Sequence, residues 1–233
     1  MKAFTTSTLA LSFLAAQVVA QGAPIEGYGV VDLEWEVDIS SDGRKGIFNG
    51  TIEQIAEEVA KINPNWKEEF NISSTPEEAA AAVKEIFQRD TEWGVGKRQA
   101  EWDEFRRECF GRWSPAESWA ILLGIEYLDK IPGQPSNGPG PGNCGRVSCS
   151  ADSAIWWCND VSYDDFYNYN TRKLTFLNIQ SAQTKTLFSF RSIANGAGAI
   201  NRYCTKGLLI RPLVGGQAFH PTNWNVIVRG DWC

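Results

Sequence analysis

The chain is predicted to be an α+β protein: a small disulfide-stapled α/β sandwich, preceded by a cysteine-free region made of a strand hairpin and helices. Three observations carry this. All six cysteines, Cys109, Cys144, Cys149, Cys158, Cys204 and Cys233, follow the dibasic pair Lys97-Arg98, and none lies between Gln21 and Arg98. An even count crowded into one part of a chain that opens on a leader reads as a disulfide framework. Segments of helical and of strand period are interspersed on both sides of that pair. Charge divides at the same place: residues 21–98 hold 8 Lys/Arg against 16 Asp/Glu, a net of −8, and residues 99–233 hold 13 against 12, a net of +1.

The leader is residues 1–20. Lys2 gives the positive start, and Leu9 to Val19 is an apolar core too short to span a bilayer. Val18-Val19-Ala20 puts small residues where a signal peptidase reads, so cleavage between Ala20 and Gln21 is expected. No later stretch is long and apolar enough for a transmembrane span. Asn49-Gly50-Thr51 and Asn71-Ile72-Ser73 are glycosylation sequons, which behind a signal peptide become candidate glycan sites at Asn49 and Asn71. The expected organisation is a signal peptide over 1–20, an acidic region over 21–98 and a cysteine-rich module over 99–233.

Within the acidic region, Val31, Leu33, Trp35, Val37 and Ile39 alternate with Asp32, Glu34, Glu36 and Asp38, a strand with one wet face. Ser41-Asp42-Gly43 turns the chain toward a partner strand over Lys45 to Phe48. Thr51 and Gln54 form a capping box for a helix carrying Ile52, Ile55, Val59 and Ile62, which Pro64 ends. Thr75-Pro76-Glu77-Glu78 starts a second helix with Ala82, Val83, Ile86 and Phe87 as its stripe.

In the module, Ser114-Pro115-Ala116-Glu117 starts a third helix, with Trp119, Leu122, Leu123 and Tyr127 as its expected buried face. Residues 132–143 read as a Pro/Gly-rich loop. Ala154 to Cys158 reads as a buried strand, and Trp224 to Arg229 as a strand. Phe190, Ile193, Ala194, Ala197 and Ile200 make a helical stripe in which Gly196 and Gly198 need close packing to be tolerated. Six cysteines allow 15 pairings. The expectation is Cys158 or Cys149 bonded to Cys204 at the end of that helix, with Cys233 anchoring the C-terminus.

Residues 161–180, VSYDDFYNYNTRKLTFLNIQ, fit this pattern poorly and are read as a translated intron. Val161-Ser162 is encodable as GTA AGT, Lys173-Leu174-Thr175 as AAG CTA ACA with a branch-point sequence, and Gln180 as CAG. Such non-structural segments are set apart before fold reasoning. Spliced transcripts joining Asp160 to Ser181 are the test.

Motifs that would carry chemistry are scarce. The single histidine, His220, precedes Pro221 and has no nucleophile-elbow sequence beside it. Glu34 and Glu36 lie on the wet face of an alternating strand, the ordinary place for such a pair. The run NGPGPGN at 137–143 lacks the Lys and Ser/Thr of a phosphate loop. No catalytic residue, metal site or cofactor is therefore assigned. Among ten tryptophans, Trp156 and Trp157 read as core, and Trp113, Trp224 and Trp232 as surface candidates for carbohydrate stacking. Neither part has the basic field that binds nucleic acid. Lys97-Arg98 follows Gly94 and Gly96 and divides two compositions, so it is a candidate site for a kexin-type protease. Cutting there would make the acidic region a pro-segment and start the module at Gln99.

The segments CGRVSCSADSAIWWCND, SFRSIANGAGAINRYC and VGGQAFHPTNWNVIVRGDWC together resemble a group of small cysteine-rich proteins secreted by filamentous fungi, over residues 105–233 and without the insert at 161–180. The order of helices and strands is similar, more distantly, to killer-toxin-like and necrosis-inducing effector families, which are α/β sandwiches. The resemblance implies secretion and a non-enzymatic role at an organism's surface, and supplies no catalytic residue. The expected function is that of a secreted fungal effector- or toxin-like protein, a virulence factor that binds a protein, glycan or membrane target outside the cell. The alternatives are a secreted hydrolase using His220 or a carboxylate pair, and a structural cell-wall protein.

Overall fold

The computed structural model describes residues 22–72, 75–82, 84, 102, 104–138, 142–160, 184–207 and 211–233. The expected signal cleavage at Ala20-Gln21, the Lys97-Arg98 pair and the segment 161–180 lie outside the described residues.

The acidic region contributes β1 (Gly29–Val30), β2 (Glu34–Asp38), β3 (Lys45–Asn49), α1 (Ile52–Ile62) and α2 (Trp66–Glu69). The C-terminal part opens with β4 (Arg107–Cys109), β5 (Ala116–Glu117), α3 (Ser118–Lys130) and β6 (Pro135–Asn137). A long hairpin follows, β7 (Asn143–Ser150) and β8 (Ser153–Asn159), and then β9 (Lys185–Thr186) and α4 (Arg191–Tyr203). The chain ends with β10 (Thr205–Lys206), β11 (Leu213–Val214), β12 (Gly216–His220) and β13 (Trp224–Gly230).

The main sheet has six strands in the order β1-β7-β8-β13-β12-β4. Its pairings are antiparallel except that β1 joins β7 in parallel. Helices α3 and α4 pack against each other and cover one face of this sheet, the α/β sandwich expected of the module. Strand β8 is buried along its whole length because both faces are covered. Trp157 enters the core beneath the helices; Trp156 enters a smaller cluster on the opposite face with Trp113, Ile227 and two disulfides, over which Ile25 and Tyr28 pack.

The hairpin of the acidic region forms as its alternation predicts, in a shorter strand. Leu33, Trp35 and Val37 are buried while Glu34 and Glu36 face water, and Trp35 lies opposite Phe48 in the β2–β3 register. The Thr51/Gln54 capping box is present, and Ile52, Ile55 and Val59 are buried; Ile62, at the end of α1, is exposed. Residues 76–82 are helical, with Thr75 and Glu78 bonding each other's backbone N–H at 3.2 Å. The stripe residues Val83, Ile86 and Phe87 lie outside the description.

Composition divides the chain at Lys97-Arg98, but the packing crosses that line. A four-stranded sheet of order β3-β2-β6-β9 takes two strands from each side. One hydrophobic cluster holds Leu33, Trp35, Ile52 and Val59 together with Ile121, Trp157, Phe190 and Val226.

All six cysteines are paired, as Cys109–Cys204, Cys144–Cys158 and Cys149–Cys233. Cys233 anchors the C-terminus as expected. The expectation that Cys204 bonds Cys158 or Cys149 is corrected. Cys144 and Cys158 lie directly opposite each other on β7 and β8, and Cys204 at the end of α4 reaches Cys109 on the edge strand β4.

Further differences concern α3, the proline-rich loop and two tryptophans. Ala116 and Glu117 form β5, so α3 begins at Ser118. Its buried face is Ala120, Ile121, Ile125 and Leu128, whereas Trp119 is 39% exposed. The helix is apolar nearly all round, so period alone did not select a face. Gly124 does: a Cβ there would lie 2.3 Å from Ser148 Oγ, so this side meets the sheet. Gly196 acts likewise in α4, where a Cβ would come within 2.8 Å of Val226. The stretch 132–143 contains β6. Trp113 and Trp224 are buried, not surface residues; Trp232 is 81% exposed.

Candidate functional site

The β7–β8 hairpin turns through Ala151 and Asp152, both with positive φ, 47° and 52°. Two left-handed residues in a two-residue hairpin loop make the type I′ turn, whose twist suits the flanking strands but which ordinarily selects Asn-Gly or Gly-Gly. Alanine there is strained, and strain of this kind marks positions held by their surroundings. Here Ser153 Oγ donates to the Ala151 carbonyl at 3.1 Å and accepts from the Glu117 N–H at 2.9 Å, while the Asp231 N–H donates to the Asp152 carbonyl at 2.9 Å. The turn is thereby tied to β5 and to the C-terminal segment.

Around it lie two adjoining depressions that share Asp152. One, of about 330 Å³, is lined by Ser114, Arg229, Asp231 and Trp232; the other, of about 630 Å³, by Glu117, Trp119, Ser153 and Arg211. Each carries one partly or largely exposed tryptophan. Trp232 is held through its backbone: Arg146 Nη1 donates to its carbonyl at 2.7 Å, and the next residue is bonded to Cys149. Its indole ring stays outward on a fixed support. Asp231 accepts the Trp156 indole N–H at 2.9 Å, and Arg211 Nε donates to Glu117 at 2.8 Å. An indole face offers apolar stacking, and the surrounding carboxylates and guanidinium groups offer hydrogen bonds to hydroxyls. Such a surface presents stacking and hydrogen-bonding groups side by side.

His220 lies elsewhere. Its ring stacks on Trp224, with centroids 4.6 Å apart and planes at 21°, and meets Phe105 edge-on at 5.1 Å. Its Nδ1 faces the Thr222 hydroxyl at 2.8 Å and receives the Thr222 N–H at 3.2 Å. The imidazole is thus part of an aromatic cluster with Trp102 and Trp224. Glu34 and Glu36 sit on the exposed face of β2, with Glu36 paired to Lys45 at 2.6 Å. Neither His220 nor Glu34 nor Glu36 lines either of the two depressions. Among the described residues no group of three or more His, Cys, Asp or Glu could hold a metal ion, and no helix is long and apolar enough to cross a membrane. Asn49 and Asn71 are both exposed.

Two buried carboxylates join the acidic region to the module. Glu53 on α1 accepts the Ser148 hydroxyl and, at 2.9 Å, the Cys149 N–H; burial pushes its pKa up. Asp160, just past β8, accepts the Tyr28 hydroxyl at 3.0 Å and Asn225 Nδ2 at 2.6 Å. Burial raises the pKa of Asp160 and of Tyr28, and lowers that of nearby Lys185.

Sequence reasoning found Trp232 and missed Trp119, Asp152 and Arg211. The Ser-Ala-Asp-Ser stretch between two cysteine-bearing strands was the available signal for the turn. Nothing local foretold the pairing of Arg211 with Glu117, 94 residues apart. Comparison of the chain with known families, with curated proteins and with solved structures finds no match.

Proposed function

We propose that the protein is a secreted, effector- or toxin-like binding protein that acts outside the cell, without catalysis, by recognising a glycan of a host, competitor or cell wall with the cleft around Asp152. The observation that supports this reading most is the outward indole of Trp232, fixed by its backbone beside Asp231 and Asp152, with Trp119 in the adjoining depression. Two stacking faces separated by hydrogen-bonding groups suit a chain of uncharged sugar rings. Three disulfides suit an oxidising compartment.

The test is retention on insoluble chitin and β-glucan, together with the toxicity of the purified protein to plant and fungal cells. Trp232→Ala and Trp119→Ala should each weaken retention by about tenfold while the fold persists by circular dichroism. His220→Ala should leave both readouts unchanged. Full retention by both tryptophan variants would reject the cleft. A folded His220→Ala protein without activity would reject binding in favour of a hydrolase, because general acid–base groups contribute about 10²–10⁴-fold in rate.

A further inference from the structure

We infer that a cut at Lys97-Arg98 does not release the acidic region: residues 22–72 stay bound as a second, non-covalent chain, so the mature protein is a two-chain complex rather than the cysteine-rich module alone.

The joint has the character of a core, not of a removable cover. Strand β2 is central in its sheet, with β3 on one side and β6, from beyond the dibasic pair, on the other; Glu34 lies opposite Ser136 and Trp35 opposite Pro135. Strand β1 extends the main sheet along β7, and the Val31 N–H continues the ladder to the Cys144 carbonyl at 3.0 Å. The Trp35 ring stacks on Phe190 at 4.5 Å, and neither is exposed. Polar groups lock the same joint. Glu53 bridges to Ser148 and Cys149, Tyr28 to Asp160, and Lys67 Nζ donates to the Tyr127 hydroxyl at 2.9 Å. Removing the region would bare Phe190 and leave Asp160 without one of its donors. Permanent interfaces resemble a domain core cut in half in this way.

The bond between the two chains would be non-covalent. No cysteine lies between Gln21 and Arg98, and all six cysteines pair within the later part. Disulfides therefore staple one chain, and packing alone holds the other. The pair differs in charge, net −8 against net +1, so separation under denaturing conditions is easily read.

The experiment treats the full-length secreted protein with a kexin-type protease and follows it by intact mass, denaturing gel and native size exclusion. The expected result is complete cleavage after Arg98, two bands on a denaturing gel even without reductant, and a single native peak holding both chains one to one. An uncut control carries Lys97→Gln and Arg98→Gln. In the cut protein, Trp35→Ala should speed loss of the N-terminal chain by about tenfold or more. The same variant in the uncut control should keep the native elution volume. Release of the N-terminal chain from the unsubstituted cut protein would overturn the inference. So would resistance of Arg98 to the protease, or a folded module recovered free of its partner.

Discussion

Trp35 and Phe190 stack face to face, with ring planes only 8° apart, although one lies in the acidic region and the other at the N-terminus of α4. Both are fully buried. Trp35→Ala should destabilise the protein by about 3–5 kcal/mol. That corresponds to a melting temperature lowered by about 6–20 °C for a chain of this size. Trp35→Phe should cost much less. The Trp35 indole N–H has no acceptor among the described residues, so phenylalanine loses area but no hydrogen bond. Thermal melts of the two variants would check the ranking, and equal losses would contradict it.

The three disulfides should differ in worth according to the loops they close. Cys109–Cys204 spans 95 residues and Cys149–Cys233 spans 84, whereas Cys144–Cys158 spans 14. In the chain-entropy account, long loops gain about 4–5 kcal/mol and short ones about 3 kcal/mol. Replacing both Cys109 and Cys204 by serine should therefore lower the denaturation midpoint more than replacing Cys144 and Cys158. Urea titration of the two double variants measures it; the reverse order would mean that packing around the β7–β8 bridge outweighs loop entropy.

The joint at Glu53 should make stability depend on pH. Burial raises the Glu53 carboxyl above its ordinary 4.5, and Asp160 is raised above 3.8 for the same reason. Both groups hold a proton more tightly folded than unfolded. Their contribution is therefore greatest in acid and declines as pH rises from the ordinary carboxylate range through the raised values. Asp42 and Glu69 are shifted the opposite way, but they are exposed, and screening leaves them little weight. The melting temperature should thus fall as pH rises above the ordinary carboxylate range, about pH 4.5. Glu53→Gln keeps an acceptor for the Cys149 N–H and should flatten that slope. A slope unchanged in this variant would assign the effect elsewhere.

The legible parts of the fold were those in which local pattern and burial agree. β2 alternates because one face is wet, α1 carries its own capping box, and α4 shows one apolar stripe. The illegible parts depend on distant partners. β6 is three residues of a proline-rich loop, and it is a strand because β2 and β9 border it. The face of α3 follows from the space that Gly124 leaves beside Ser148. Trp113 and Trp224 read as surface candidates, yet neighbours from other elements close over them. The same limit applies to the candidate site, since Trp232 was visible as a terminal aromatic while Glu117 and Arg211 meet only through folding.

The turn beside that site supplies a last prediction. Ala151 occupies a left-handed conformation that costs an L-residue with a Cβ about 1–2 kcal/mol. Glycine at 151 removes this strain, partly offset by the greater entropy of the unfolded chain. Ala151→Gly should therefore stabilise the protein by about 0.5–1 kcal/mol, or about 1–4 °C in melting temperature. The Ser153 and Asp231 hydrogen bonds to the turn involve backbone carbonyls and survive the change. Thermal denaturation of this variant beside Asp152→Ala gives the contrast. Asp152 is also left-handed, so alanine there keeps the strain and removes only a side chain from the cleft. Asp152→Ala should gain no stability but should weaken retention on the glycan that the unsubstituted protein binds. A stabilised Asp152→Ala protein with full retention would show that the turn is shaped for folding alone.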